Sequence, residues 1–395
     1  MANGRSLYLN ETGHHFYLMI SIWHQLNKPL IVLAPMYDVT DSAYRQIIAD
    51  FGAPGLFFTE FVSADGLASQ AGREKLLREF YFTAKEQPVI AQIFGSLPAT
   101  IEIAARLAAE RGFAGVDLNM GCPDKAVLKQ GSGAALIKTP ALAKELILAA
   151  KRGAGDLPVS VKTRIGDKQN ELEKWLPVLL EAKPAAITIH FRTTKELSKV
   201  EAHWDLAPRA VEIAKGSGVL ILGNGDVKTS SDALRLALET GLDGVMIGRG
   251  IFGTPWLFAN LAQAKLDRQV EHPPKPLAEV DEPPPGHPIS NNLCGPPAGG
   301  RCRTNPSDEV SLELRLENLI NHAKLFSQLY LPGDFNQAHF GGHTKSFSVM
   351  KKPFKAYVNG FSGAAELREQ LMSAENATTV EKICQDFLKQ PEVLL

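Results

Sequence analysis

The stretch "GVLILGNGDVKTSSDALRLALETGLDGVMIGRG", Gly218 to Gly250, decides how the chain is built. It opens on a short apolar, β-branched run at 218–225 and closes on a second at 244–250, and each run ends in a glycine-rich turn. Between them "SSDALRLALETG" places its apolar residues at helical spacing, and its final glycine suits a helix C-cap. The unit is strand, turn, helix, strand. Free backbone N–H groups at the turn before Thr229 and Ser230, and again around Arg249, are placed to hold a phosphate.

Six more runs of the same kind precede it: "LIVLAP" (30–35), "GLFFTE" (55–60), "PVIAQIF" (88–94), "GVDLNM" (115–120), "PVSVKTR" (158–164) and "AAITIH" (185–190). Amphipathic stretches such as "ATIEIAARLAAERG" lie between them. Eight strand–helix repeats over residues 29–264 are the arithmetic of an α/β fold of the (β/α)8 TIM-barrel type. An open, doubly wound sheet shares that local pattern. The candidate functional residues separate the two, because Met36, Glu60, Gln92, Asn119, Lys162, His190, Asn224 and Arg249 fall at or near the ends of eight different strands. A barrel brings all those ends to one C-terminal face.

The barrel is flanked on both sides. Residues 1–28 are an N-terminal extension, where "HHFYLMISIW" (14–23) is broken by polar residues and lacks a small-residue cleavage site; it reads as an amphipathic lead-in rather than a signal peptide. Residues 265–308 hold ten of the 25 prolines, the composition of a linker or disordered insertion. Cys294 and Cys302 lie there at C-x7-C spacing, unlike the close pairs of zinc sites, so no metal is expected. Residues 309–395 read as a small C-terminal helical domain, with helices in "SLELRLENLINHAKLFSQLY" and "GAAELREQLMSAENATTVEKICQDFLKQ". Between these, "HTKSFSVMKKPFKAYVNG" (343–360) carries Lys345, Lys351, Lys352 and Lys355 and no acidic residue. Such a segment tracks a phosphate backbone or, equally, forms a solvated helix face.

Bulk composition narrows the class further. The 395 residues are 45% apolar, ample for a core, and the formal net charge of −1 leaves any polyanion site to a local basic face. Four scattered cysteines suit a reducing compartment, so a cytoplasmic protein with no membrane association is expected. No obligate protein partner is evident.

Two residues carry the chemistry. Lys162, at the end of a strand, is either a Schiff-base nucleophile or the partner of an anionic cofactor group, and Arg164 points to the same side while the strand stays extended. Cys122 follows its strand between Gly121 and Pro123, which favour a tight turn and an oriented thiol. That thiol is a nucleophile or a proton donor; no histidine base adjoins it in sequence, but His190 can meet it across the barrel mouth, so a thiolate mechanism stays open.

Taken in order, "LAPMYDVTDSAYR", "AQIFG", "DLNMGCPDKAVLKQGSGAALI", "VKTRIG", "IHFRT", "GNGDV" and "GRGIFGTPW" resemble the tRNA-dihydrouridine synthase family. The likeness resumes in "MKKPFKAYVNGFSGAAELREQL". It implies an FMN enzyme that uses NADPH to reduce the C5–C6 double bond of particular tRNA uridines. By the same resemblance FMN is held by the backbone around Pro35, Met36 and Tyr37 and by Gln92, Lys162, His190, Asn224, Gly225, Asp226, Gly248 and Arg249. Cys122 is the general acid that protonates C5. Asn119 and Arg164 orient the uracil, Arg192 meets nearby RNA backbone, and Lys351, Lys352 and Lys355 grip the tRNA. The chain departs from the pattern at Tyr37 and Asp38, where small residues are common, and at Phe191, where glycine is usual.

Overall fold

The computed structural model describes residues 5–9, 15–19, 21–259, 261 and 310–390. The eight predicted runs supply β1 (Leu30–Leu33), β2 (Phe57–Phe58), β3 (Val89–Phe94), β4 (Gly115–Met120), β5 (Val159–Arg164), β6 (Ala186–His190), β7 (Leu220–Asn224) and β8 (Gly244–Ile247). They pair in parallel in the order β1-β8-β7-β6-β5-β4-β3-β2. The ring closes between β1 and β2, where Gly55 N–H donates to Ile31 O at 2.8 Å and Leu33 N–H to Leu56 O at 3.2 Å. The fold is a TIM barrel, not an open sheet.

Because side chains alternate along a strand, every second residue enters the barrel. Leu30, Val32, Phe58, Ile90, Leu222 and Met246 make an apolar cluster there, joined by the fully buried Trp23 of the short helix Ile22–Gln25. Toward the C-terminal ends of the barrel strands the residues turn polar, through Gln92, Asn119, Lys162, His190 and Asn224. In the lead-in ahead of Trp23, His15–Met19 is a strand paired antiparallel with Arg5–Leu9.

The second barrel strand is also shorter than predicted. It pairs with β3 at Phe57↔Val89 and Phe58↔Ile90, and pairing resumes only at Val62↔Ile93 and Ser63↔Phe94. Residues 59–61 therefore oppose 91–92, a one-residue β-bulge of the kind that re-aims side chains beside active sites. Thr59 Oγ1 bridges the gap by accepting from Gln92 N–H at 3.0 Å. Glu60 is thrown out toward the C-terminal helices, and Phe61 reaches the barrel mouth.

Those helices are Leu312–Tyr330, Asp334–Phe340, Lys351–Tyr357, Ala364–Met372 and Ala377–Leu388, and they share one continuous apolar core with the barrel. Ser42 N–H donates to Tyr330 Oη at 3.1 Å, and Tyr44 stacks on His322 at 4.9 Å. At Gly253 (φ +73°) a Cβ would sit 2.0 Å from Ala356 O, so glycine is what lets the last barrel loop lie against Lys351–Tyr357.

Lys345 corrects one expectation. It is buried rather than RNA-facing, with Nζ 2.5 Å from both Glu60 Oε2 and Glu79 Oε2 and 4.9 Å over the Tyr330 ring. The ammonium stands between two buried carboxyl groups and supplies the positive charge that a dry interface otherwise lacks. The proline-rich insertion, with Cys294 and Cys302, lies outside the described residues. Among the described residues no helix is long and apolar enough to cross a membrane, and no cluster of metal-ligating side chains occurs.

Candidate active site

Two cavities share a wall at the C-terminal mouth of the barrel. The first, about 470 Å³, is bounded by Lys162, His190, Arg192, Asn224, Gly225, Asp226, Gly248 and Arg249. The second, about 390 Å³, is bounded by Tyr37, Phe61, Gln92, Asn119, Cys122, Arg164 and Lys352. Pro35, Met36, Lys162 and Arg249 line both.

The first lobe is electropositive. Lys162, Arg192 and Arg249 converge there, and Asp226 is the carboxylate that answers them, paired with Arg192 and 3.5 Å from Arg249. Asp226 takes a left-handed φ of +54°, strain that a functional loop retains. Burial, reinforced by Arg164, pulls Lys162 down to about 8. Burial and four surrounding cations push His190 far below its ordinary range, so its ring is neutral at any physiological pH. Its Nε2 lies 3.0 Å from Arg192 Nη1, which fixes it as the acceptor. Lys162 Nζ donates to Asn224 Oδ1 at 3.2 Å, and Asn224 Nδ2 to Met246 O at 2.7 Å. Arg249 opens a 3-10 turn whose first N–H groups have no acceptor within that turn.

The second lobe presents the thiol. Asn119 Oδ1 accepts from Gly121 N–H at 3.1 Å and Cys122 N–H at 2.9 Å, so the last residues of β4 set the direction of the cysteine. Arg164 Nε holds the same turn through Gly121 O at 2.8 Å. Behind it Ala134 N–H donates to Cys122 O at 3.0 Å. Gly133 (φ +62°) admits that contact, because a Cβ there would lie 2.7 Å from Cys122 O. The Gly-Ser-Gly turn thus closes the cysteine loop from the far side. Burial raises the Cys122 thiol above its ordinary value, and the thiol is protonated at neutral pH.

Beneath the thiol lies a relay absent from the sequence reading. Asn119 Nδ2 donates to Gln92 Oε1 at 3.1 Å, Gln92 Nε2 to Asp117 Oδ2 at 2.7 Å, and Ser160 Oγ to Asp117 Oδ1 at 2.6 Å. Burial lifts Asp117 to about 6. The one signal for it was an acidic residue inside the apolar run "GVDLNM".

Three candidates sit elsewhere than expected. Glu60 does not line the mouth, because the bulge turns it toward Lys345 and the Asp38 N–H. Arg192 is 2% exposed, tied to Val200 O at 2.7 Å and to Asp226; it belongs to the floor of the first lobe and does not reach outward to an RNA backbone. Lys351 and Lys355 are exposed on their helix, whereas Lys352 reaches back into the second lobe. Phe191, in place of a glycine, is buried against Trp204 at 5.2 Å, and its N–H still bonds Asn224 O at 3.1 Å. Lys125 and Lys129 are exposed on the helix that follows the cysteine. His190 lines the other lobe with Nε2 engaged by Arg192, so it is not placed as a base for Cys122.

Sequence comparison shows the family. The family model described as Dihydrouridine synthase (Dus) matches residues 32–283. A "Probable tRNA-dihydrouridine synthase 2" of Bacillus subtilis (strain 168) is 35% identical over 370 residues, covering 93% of this chain and 96% of that protein. A "Probable tRNA-dihydrouridine synthase" of Staphylococcus aureus (strain COL) is 34% identical over 373 residues, 94% of this chain and 96% of its own length. Among solved structures, a 2-naphthoyl-CoA reductase in complex with 2-naphthoyl-CoA superposes with a TM-score of 0.48 at 13% identity, over 62% of this chain and 51% of that one, a likeness too low to bear on function. On the family match and the near full-length relatives, the chain belongs to the dihydrouridine synthase family.

Proposed function

We propose that this enzyme reduces the C5–C6 double bond of specific uridines in tRNA, with FMN as its cofactor and NADPH as the reductant. The observation that carries the reading is one barrel mouth in which an anion-holding lobe adjoins a lobe presenting a protonated, oriented thiol. The first lobe suits a phosphorylated flavin, since it gathers more cations than carboxylates, keeps His190 neutral and adds the glycine-rich turns after β7 and β8. Lys162, at the wall common to both lobes, suits the electron-rich edge of the ring, and Met36 and Pro35 suit its face.

When bound, FMN would supply a hydride for C6 of the uracil. The protein does the rest. Negative charge then gathers on C5 and the C4 carbonyl, and Cys122 gives its Sγ proton to C5. Arg164 spends Nε and Nη1 on backbone carbonyls, while Nη2 has no partner among the described residues and is left for the uracil carbonyl edge. Asn119 keeps one Nδ2 hydrogen for the same edge, its Oδ1 being committed to the cysteine loop. A uridine in folded RNA must be extruded to reach this depth, and Lys125, Lys129, Lys351 and Lys355, all exposed, would hold the phosphates around it.

Cofactor binding tests the first half of the proposal. Apoprotein is expected to quench FMN fluorescence on binding, with affinity falling as pH rises through about 8, where Lys162 loses its charge. Lys162→Met is expected to bind more weakly and to lose that pH dependence. Absence of FMN binding at any pH between 6 and 9 counts against the assignment of the first lobe.

A further inference from the structure

We infer that Tyr37 is the stacking platform for the base next to the extruded uridine and so helps select which uridine is reduced, an inference that rests on the tRNA reading above. Tyr37 is 58% exposed and yet lines the lobe that contains Cys122. Its neighbour Asp38 takes a left-handed φ of +53° and donates its N–H to Glu60 Oε1 at 2.5 Å. Lys352 Nζ donates to Tyr37 O at 3.2 Å and to Asp38 Oδ2 at 3.1 Å. Val39 and Thr40 N–H both return to Met36 O, at 3.1 and 3.0 Å. Two lysines of the helical region thus clamp this turn, Lys352 directly and Lys345 through Glu60.

The ring is set as firmly as the backbone. It leans on Phe61 at 5.7 Å, and Phe61 in turn meets Phe94 edge-on at 5.7 Å. Lys352 Nζ lies 5.8 Å from the ring centre, at the limit of cation–π reach, and leaves most of the ring open. A hydrophobic body held rigid in solvent serves no core. At the rim of a basic cavity it has what base stacking requires: a π-face, little conformational entropy to lose, and a cation alongside for the phosphate. Extruding a uridine breaks the stack on both sides of it, leaving a neighbouring base without a partner. The uracil itself has to lie at Cys122, whereas more than half of Tyr37 faces outward, so the ring is offered to the neighbour.

The test compares Tyr37→Phe, Tyr37→Trp and Tyr37→Leu once the uridine reduced by the wild type has been mapped. Phenylalanine and tryptophan are expected to keep tRNA affinity, and leucine, apolar but without a π-face, to weaken it about 5- to 150-fold, the span of base–aromatic stacking. Flavin content should be the same in all three. On transcripts made abasic on either side of the target uridine, the leucine penalty should vanish for one side. Wild-type affinity and turnover in Tyr37→Leu, or a penalty that persists on both abasic transcripts, would overturn the stacking role while leaving tRNA reduction intact. A wild type that reduces no tRNA uridine would instead remove the reading underneath it.

Discussion

Cys122→Ala is expected to lose uridine reduction by about 10²- to 10⁴-fold, the usual contribution of a positioned general acid. FMN content and the rate at which NADPH bleaches the flavin should stay at wild-type level, because the thiol adjoins the second lobe and the cofactor contacts assigned above lie mainly in the first. The loop should also keep its shape: Asn119 and Arg164 bind its backbone rather than the sulfur. The pH profile gives a separate check. A donor must be protonated, and burial holds the thiol above its ordinary value, so uridine turnover should persist past about pH 8.5 and fail only at more alkaline pH. Full turnover in the alanine variant would take the proton-donor role away from Cys122.

Lys345→Met should be the most damaging change outside the site. Removing it leaves Glu60 and Glu79 face to face in a buried interface, and breaking such a pair costs about 3–5 kcal/mol. In the native protein burial already pushes Glu60 up to about 8, while the lysine holds Glu79 below its ordinary value. Without the ammonium Glu79 is raised as well, and its shift is what separates the variant from the wild type between pH 5 and pH 8. A raised carboxyl supports the fold below its unfolded value near 4.3 and loses that support as pH rises, so the deficit of Lys345→Met in urea unfolding should be larger at pH 8 than at pH 5. Glu60→Gln preserves the one-to-one pair of Lys345 with Glu79 and is expected to cost much less. Equal stability of Lys345→Met and wild type at pH 8 would show that the junction does not depend on this charge.

The barrel was legible because each of its parts has a local signature. Apolar β-branched runs, helical periodicity and glycine turns after β7 and β8 act over a few residues, and they are enough to fix eight strands and the lobe beneath them. Cys122, Asn119 and Arg164 were legible for the same reason, since each closes or follows a strand. What stayed hidden depends on distance or on a count of one. The bulge at 59–61 adds a single residue to "GLFFTEFVS", which no alternation pattern reveals, yet it decides that Glu60 serves the interface and Phe61 the mouth. Lys345 reads as a surface lysine because its carboxylate partner Glu60 is 285 residues away in sequence. Arg192 reads as a free cation for RNA until the fold supplies Asp226, 34 residues on, to hold it down.

Reduction of tRNA uridine by this chain is tested most directly by incubating the FMN-loaded protein with NADPH and unmodified tRNA transcripts, then mapping dihydrouridine position by position. The expected result is conversion at a defined site, abolished by omission of NADPH and strongly reduced in Cys122→Ala. NADPH consumption with free uracil or uridine as acceptor, and no dihydrouridine in any tRNA, would contradict the account.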